Sequence, residues 1–193
     1  MCLRVNKEIH SEYIKVKHYY NGLTKIPKPL VAKTNIVAIK KLSLDKDDNY
    51  HTPFMCKNVT FNNGIVTLES DVKEGFRVEK SAWYDTYDVA NGIHSFIERD
   101  RCMWSREKLF VSIIPKGSKY YLGEDGDLVS EKLIVFETQE DFDKFIRHKG
   151  MVTAQWVINN YYKRPSLRKS VFIEGLKSLK LKGEKSSYYK LYE

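Results

Sequence analysis

Short blocks of apolar residues, rather than long helical stripes, dominate the first 137 residues. The clearest block, Phe110–Ile114, is rich in β-forming residues and predicts a strand buried on both faces. Pro115 ends this strand because proline lacks the N–H that a ladder needs, and Gly117 suits the turn that follows. Lys119–Leu122 and Leu128–Phe136 are predicted to be the next two strands, joined by an acidic loop.

Three segments upstream carry the same kind of signal. Asn35–Leu42 predicts the first strand of the domain, and Gly92–Ile97 predicts a short strand that follows a glycine. Asn62-Asn63-Gly64 predicts a hairpin turn between the short runs Val59–Phe61 and Ile65–Leu68, because its residues tolerate positive φ.

Helical signals begin only after the predicted strands. Thr138 can cap the free N–H groups of a helix, and Glu140 and Asp141 would lie at the positive end of its dipole. Gly150 suits the end of that helix. A second helix is predicted to begin at Pro165.

These elements predict an α+β fold. A mixed or antiparallel central sheet would span about residues 34–137, and a basic helical extension would form the C-terminus. We expect an N-terminal arm over 1–33, an α+β core domain over 34–150 and the extension over 151–193, whose first residues fit a strand or a short helix.

The charge of the chain is concentrated at its C-terminal end. Residues 147–193 contain eleven Lys and Arg against three Asp and Glu, whereas residues 1–146 contain 22 of each. Such an excess favours contact with nucleic acid or an acidic partner, although a solvated basic helix has the same composition. The candidate contact residues are Lys163, Arg164, Arg168, Lys169, Lys177 and Lys180.

Several classes of protein are disfavoured by the sequence. Cys2, Cys56 and Cys102 are odd in number and far apart, so we expect reduced thiols rather than a disulfide framework or a zinc ribbon. No metal-binding or Gly-rich phosphate motif occurs, and we expect neither a metal nor another cofactor. No apolar run approaches the roughly 20 residues of a membrane span, and the N-terminus lacks an apolar signal core.

Four short motifs resemble those of an uncharacterised family of small proteins from phages and prophages. They are Ile36–Lys40, Thr52-Pro53-Phe54, Gly92–Phe96 and Ile114–Tyr121, in a chain that begins with Met-Cys-Leu. The resemblance covers most of the predicted sheet and implies a phage-encoded protein in the cytoplasm of the infected bacterium, or one associated with the virion. That family brings no established activity.

The order of parts is also similar, more distantly, to the ADP-ribosyltransferase fold. The resemblance aligns Lys40-Lys41 with the family's Tyr-Arg, His94-Ser95 with its Ser-Thr-Ser, and Glu131 with the second carboxylate of its Glu-x-Glu. That second carboxylate is the group that stabilises the family's oxocarbenium-like transition state. Since only Glu131 is kept, the resemblance implies binding without turnover.

A single pocket at one sheet edge is the site that these patterns predict. Lysine and histidine would meet a phosphate and a tyrosine ring would stack on a base. The candidates are Lys40, His94, Ser95, Lys119, Tyr121 and Glu131. Two alternatives stay open: His94 as a structural histidine, and Glu131 as the surface partner of Lys132 or Lys116 across the hairpin.

The function we expect is therefore a non-enzymatic, phage-encoded binding protein. It would hold a small anionic or nucleotide-like ligand, and a host defence signal is one such ligand. The first alternative is a virion-associated or host-interaction protein whose basic C-terminal region contacts nucleic acid or a partner subunit. The second alternative is an ADP-ribosyltransferase. The oligomeric state is left open.

Overall fold

The computed structural model describes residues 3–18, 22–33, 35–53, 57–70, 75–81, 85–96, 107–124, 126–146 and 151–153. Within these ranges the chain forms sixteen strands and one helix. The first eight strands are β1 (Leu3–Arg4), β2 (Tyr13–His18), β3 (Gly22–Pro27), β4 (Leu30–Val31), β5 (Asn35–Leu44), β6 (Tyr50–His51), β7 (Asn58–Val59) and β8 (Ile65–Glu69). The remaining elements are β9 (Val78–Lys80), β10 (Tyr87–Val89), β11 (Ile93–Phe96), β12 (Glu107–Ile114), β13 (Lys119–Leu122), β14 (Asp127–Ser130), β15 (Lys132–Phe136), α1 (Gln139–Ile146) and β16 (Met151–Thr153).

The predicted α+β class is wrong, because the described part of the chain is mostly β-strand with the single helix α1. Of the strands that the sequence pattern missed, β1 and β4 are two residues long and pair with distant segments, whereas β2 pairs with β3 and β9 with β10, their neighbours in the chain. Met151–Thr153, where a strand or a helix was expected, is a strand parallel to β5. The predicted basic helix after it lies outside the described residues.

Strand β5 lies inside the largest sheet and pairs with other strands along both of its edges. Along one edge it pairs with β12 over eight residues, from Ile36↔Ile114 to Ser43↔Glu107. Its other edge is shared by β16, β11 and β6. The strand order is β4-β13-β14-β11-β5-β12-β15-β8. The predictions of strands over Asn35–Leu42, Phe110–Ile114 and Lys119–Leu122 are confirmed.

The sheet curls round until β14 and β15 meet. The segment Leu128–Phe136 was predicted to be one strand, but it is broken at Glu131 into β14 and β15. These two strands lie four positions apart in the sheet, about 19 Å if the sheet were flat. One linking residue spans only about 7 Å, so the sheet must curve strongly. Ser130 Oγ donates to the carbonyl of Lys132 across the break at 2.9 Å.

One face of the curled sheet, here called the inner face, carries the main core. The ladder registers place alternate residues of β5, β11, β12, β14 and β15 on this face. Its apolar members, all in one buried cluster, are Ile36, Ala38, Leu42, Ile93, Phe110, Ile114, Leu128, Leu133 and Val135.

Helix α1 begins as the sequence predicts. Asp141 N–H donates to Thr138 Oγ1 at 3.2 Å, and Thr138 N–H donates to Asp141 Oδ2 at 3.2 Å, which is a reciprocal cap. Phe142 is fully buried and lies edge-on to Phe136 of β15, with 5.2 Å between ring centroids. The helix therefore covers the face of β15 opposite to the inner face. No helix among the described residues has the length and apolarity to cross a membrane.

A second, smaller core forms on the outer side of β13 and β14. Its members come from β1, β3, β9 and β10 as well as from those two strands: Leu3, Val5, Ile26, Val78, Val89, Tyr121 and Val129. The segment predicted to be an N-terminal arm thus forms β1–β4, of which β4 pairs with β13 and β1 with β10.

The predicted hairpin at residues 62–64 is confirmed only as a turn. Asn63 and Gly64 have φ of 51° and 76°, and Asn62 forms a bridge with Ile65. Beyond that bridge, β8 pairs with β15 and β7 pairs with β6. The turn residues set the reversal, whereas the wider pairing is decided by contacts far along the chain.

Candidate functional site

Lys40 is a buried cation in the middle of β5. It lies on the inner face, directly opposite Phe110 of β12, and is only 4% exposed. Its Nζ donates to the carbonyl oxygen of His94 at 2.8 Å. Burial lowers the pKa of this ammonium to about 8. None of the described carboxylates forms an ion pair with it. Among the described residues, its hydrogen-bond partner is the carbonyl oxygen of His94.

Ser95 lies beside Lys40 on the same face. Phe96 pairs with Ile39 in the antiparallel ladder of β11 and β5, which puts Ser95 opposite Lys40. The serine is fully buried, and its Oγ has no hydrogen-bond partner in the part of the chain that the structure describes. A buried hydroxyl normally finds a partner, since leaving it unpaired costs about 1–3 kcal/mol.

The ring of His94 faces the other way. Neighbouring residues of a strand point to opposite faces, so this ring lies on the outer side, opposite Val129 of β14. Burial, and then the charge of Lys40, lower the pKa of His94 to about 4. The imidazole is therefore neutral at pH 7, and His94 contributes its carbonyl oxygen, rather than its ring, to the surroundings of Lys40.

Lys119 and Glu131 form a separate pair at the break between β14 and β15. Glu131 Oε2 accepts the backbone N–H of Lys119 at 3.0 Å, and Oε1 lies 3.5 Å from Lys119 Nζ. The backbone N–H of Glu131 also donates to the carbonyl of Lys119 at 3.0 Å. Glu131 thus links β13 to the break between β14 and β15, and its described lysine partner is Lys119 rather than the expected Lys132 or Lys116.

Tyr121 belongs to the second core. Its hydroxyl donates to the carbonyl of Pro27 at 2.6 Å, and burial raises the pKa of the phenol. Its ring contacts His10 and Phe76, with centroids 4.9 and 5.1 Å away. Protein groups therefore occupy the positions around this ring, and it is fully buried.

The six predicted ligand residues are thus distributed over three places. Lys40, Ser95 and the carbonyl of His94 are together on the inner side of β5 and β11, which we call the Lys40 site. Lys119 and Glu131 pair at the strand break, and Tyr121 lies in the second core. The six basic residues proposed for partner binding, at positions 163–180, and all three cysteines lie outside the described residues. In the described ranges no three metal-ligating side chains gather.

The sequence gives no signal for the role of His10. This residue is 1% exposed, its Nδ1 donates to the carbonyl of Lys28 at 3.0 Å, and its Nε2 accepts the N–H of Leu122 at 3.0 Å. Burial lowers its pKa to about 4, so it is the neutral tautomer that joins the N-terminal strands to β13. A lone histidine in a polar segment cannot reveal such partners, which are 18 and 112 residues away.

Comparisons of the chain with protein-family models, with curated proteins and with solved structures give no match.

Proposed function

We propose that this protein binds a small anionic or nucleotide-like ligand without transforming it, and that Lys40 provides the cation for the anionic group. The observation that carries the proposal is a buried ammonium whose recorded partner is one backbone carbonyl, next to a buried serine hydroxyl without a described partner.

The energetics of burial favour an anion at this position. Removing an ammonium from water costs several kcal/mol unless a counter-charge and hydrogen bonds replace its hydration. Lys40 has two N–H donors beyond the one that reaches His94, and Ser95 can donate a further hydrogen bond. An oxyanion that accepts from both residues would satisfy the two unmet groups together, with bonds stronger than those between neutral partners.

The arrangement of Glu131 supports binding rather than turnover. Both of its carboxylate oxygens face Lys119, at 3.0 Å from the backbone nitrogen and 3.5 Å from Nζ. A carboxylate held in this way is stabilising the strand break. The Lys40 site, as described, holds a cation and a hydroxyl but no carboxylate to act as a base.

The biological setting of the proposal comes from the sequence motifs. Their resemblance to phage and prophage proteins favours a phage-encoded protein that acts in the infected bacterium. Sequestration of an anionic host defence signal is a role that a binding protein without turnover can fill.

The test is a thermal-shift titration with inorganic phosphate, AMP, ATP, cyclic AMP, NAD⁺ and ADP-ribose. We expect at least one probe to raise the melting temperature of the wild-type protein by mass action, and Lys40→Met to abolish that shift. Lys41→Met is the matched control, since Lys41 is equally buried but lies over the Phe96 ring on the opposite face, 5.0 Å from its centroid. Equal shifts in wild type and Lys40→Met, or equal loss in both variants, would contradict the proposal.

A further inference from the structure

Strands β2 and β3 form an antiparallel ribbon that is a two-stranded sheet of its own. One side of the ribbon packs on the second core through Ile14, Val16 and Ile26. The opposite side, which we call the ribbon face, carries Tyr13, Lys15, Leu23 and Lys25, all exposed. Period-two alternation along both strands produces this division.

The ribbon face holds two like charges directly opposite each other. Lys15 and Lys25 are cross-strand partners, which places their Cβ atoms about 5 Å apart and destabilises the free ribbon. Neither lysine forms an ion pair with a described carboxylate. Residues 13–44 contain seven lysines and neither Asp nor Glu. Lys28, just beyond the ribbon face, is paired with Glu12 at 2.8 Å.

Apolar groups flank the lysines on the same face. Leu23 is 72% exposed and Tyr13 is 44% exposed, and these are two of the three exposed large apolar residues in the described part of the chain. A charged centre with apolar side chains at its ends can contact both the phosphates and the thymine methyl groups of a duplex.

We propose that the ribbon face docks double-stranded nucleic acid. A two-stranded β-ribbon fits the major groove of DNA, which is about 12 Å wide. The two cross-strand lysines would contact phosphates and thereby relieve their mutual repulsion, and residues 13–44 bring no acidic side chain to the duplex. This inference uses residues that the Lys40 site does not contain, and it stands whether or not that site binds a small anion.

Fluorescence anisotropy of the full chain with a random-sequence DNA duplex tests the proposal. We expect Lys15→Gln/Lys25→Gln to weaken binding about tenfold at low salt and to reduce the slope of log K against log[salt] by about 1.8, the value for two lost phosphate contacts. The matched control is Lys132→Gln/Lys144→Gln, which removes the same charge from β15 and α1, where both lysines pair with acids. This control should keep the wild-type slope.

A second variant separates a lost contact from a lost fold. Lys25→Glu places an opposite charge across from Lys15, so the free protein should melt at a higher temperature while duplex binding weakens further. Equal slopes in the ribbon and control variants would overturn the proposal. So would a wild-type protein that fails to bind duplex at tens of millimolar salt, or one that binds vesicles with anionic headgroups more tightly than duplex.

Discussion

The ammonium of Lys40 on β5 donates to the carbonyl oxygen of His94 on β11 at 2.8 Å, deep inside the curled sheet. His94 and its neighbour on β11, Ser95, point to opposite faces of the sheet. The His94 ring turns outward and stays neutral, whereas Ser95 turns inward and keeps a hydroxyl without a described partner next to Lys40. The register of β11 and β5 thus puts a cation and a hydroxyl without a described partner at adjacent positions of one face.

The stability of the ligand-free protein should depend on pH through Lys40. Its pKa is about 8 in the folded protein against an ordinary value of 10.5, so the unfolded chain binds more protons between these values. Stability should therefore rise from pH 7 to pH 10, and Lys40→Met should gain about 2 kcal/mol less than wild type over that range. Urea unfolding at the two pH values measures this difference. Equal gains in both proteins would show that Lys40 is not buried as an ammonium.

His10 should make the protein sensitive to acid. Its pKa is about 4 when folded and 6.5 ordinarily, so the unfolded chain takes up more protons as the pH falls through this window. The contribution of neutral His10 to stability is fully present above pH 6.5 and declines toward pH 4. At pH 4.5 about 2.5 kcal/mol of it is lost. His10→Gln keeps a donor and an acceptor but does not titrate, so urea unfolding should show a smaller loss from pH 7 to 4.5. An unchanged loss would place the acid sensitivity elsewhere, His94 being the next group to substitute.

Gly92 should be irreplaceable, unlike Gly117. Both have positive φ, 108° and 90°, which costs any other residue about 1–2 kcal/mol. A Cβ at Gly92 would lie 2.4 Å from Val129 Cγ1, whereas nothing lies within 4 Å of one at Gly117. Gly92→Ala should therefore lower stability by about 3 kcal/mol or more, and Gly117→Ala by the backbone cost alone. Calorimetry gives the loss of stability in each variant. Equal losses would mean that Val129 does not lie against Gly92 as described.

The pairing of β12 with β15 is the centre of the main core. Ile113 and Val135 are fully buried there, so Ile113→Asp or Val135→Asp should prevent soluble folding because each buries an unpaired charge. Val31→Asp, on the edge strand β4 where Val31 is 53% exposed, is the control and should remain soluble. Wild-type melting of either core variant would show that the core is misplaced.

The parts of the fold that the sequence predicts are those set by local chemistry. The apolar run of β12, the cap at Thr138 and the turn at Asn63-Gly64 depend on neighbouring residues, and each is found. The fold class was wrong because several short strands were missed: β1 and β4 have partners far along the chain, whereas β2 pairs with β3 and β9 with β10, their neighbours in sequence. Their stability comes from packing on Tyr121 and Val129, which no local pattern can show.

Only part of the candidate site was predictable, because it too depends on contacts between strands that are distant in the chain. The positions of Lys40 and Ser95 within their motifs make both residues candidates, but their juxtaposition depends on the register that pairs Phe96 with Ile39. The sequence alone could not show that Glu131 lies at the break between two strands, or that its carboxylate binds Lys119. The sequence does carry a signal for the ribbon face, because residues 13–44 include seven lysines and no acid. Its meaning depends on Lys15 and Lys25 being cross-strand partners.

Native mass spectrometry of the protein purified from bacterial cells tests the central claim most directly. Wild type, Lys40→Met and Lys41→Met would be purified in parallel without added ligand. We expect an anionic adduct of nucleotide-like mass on wild type and Lys41→Met that is missing from Lys40→Met. An adduct that persists in Lys40→Met, or the absence of any adduct from wild type together with no thermal shift by the six probes, would contradict the claim that Lys40 holds an anionic ligand.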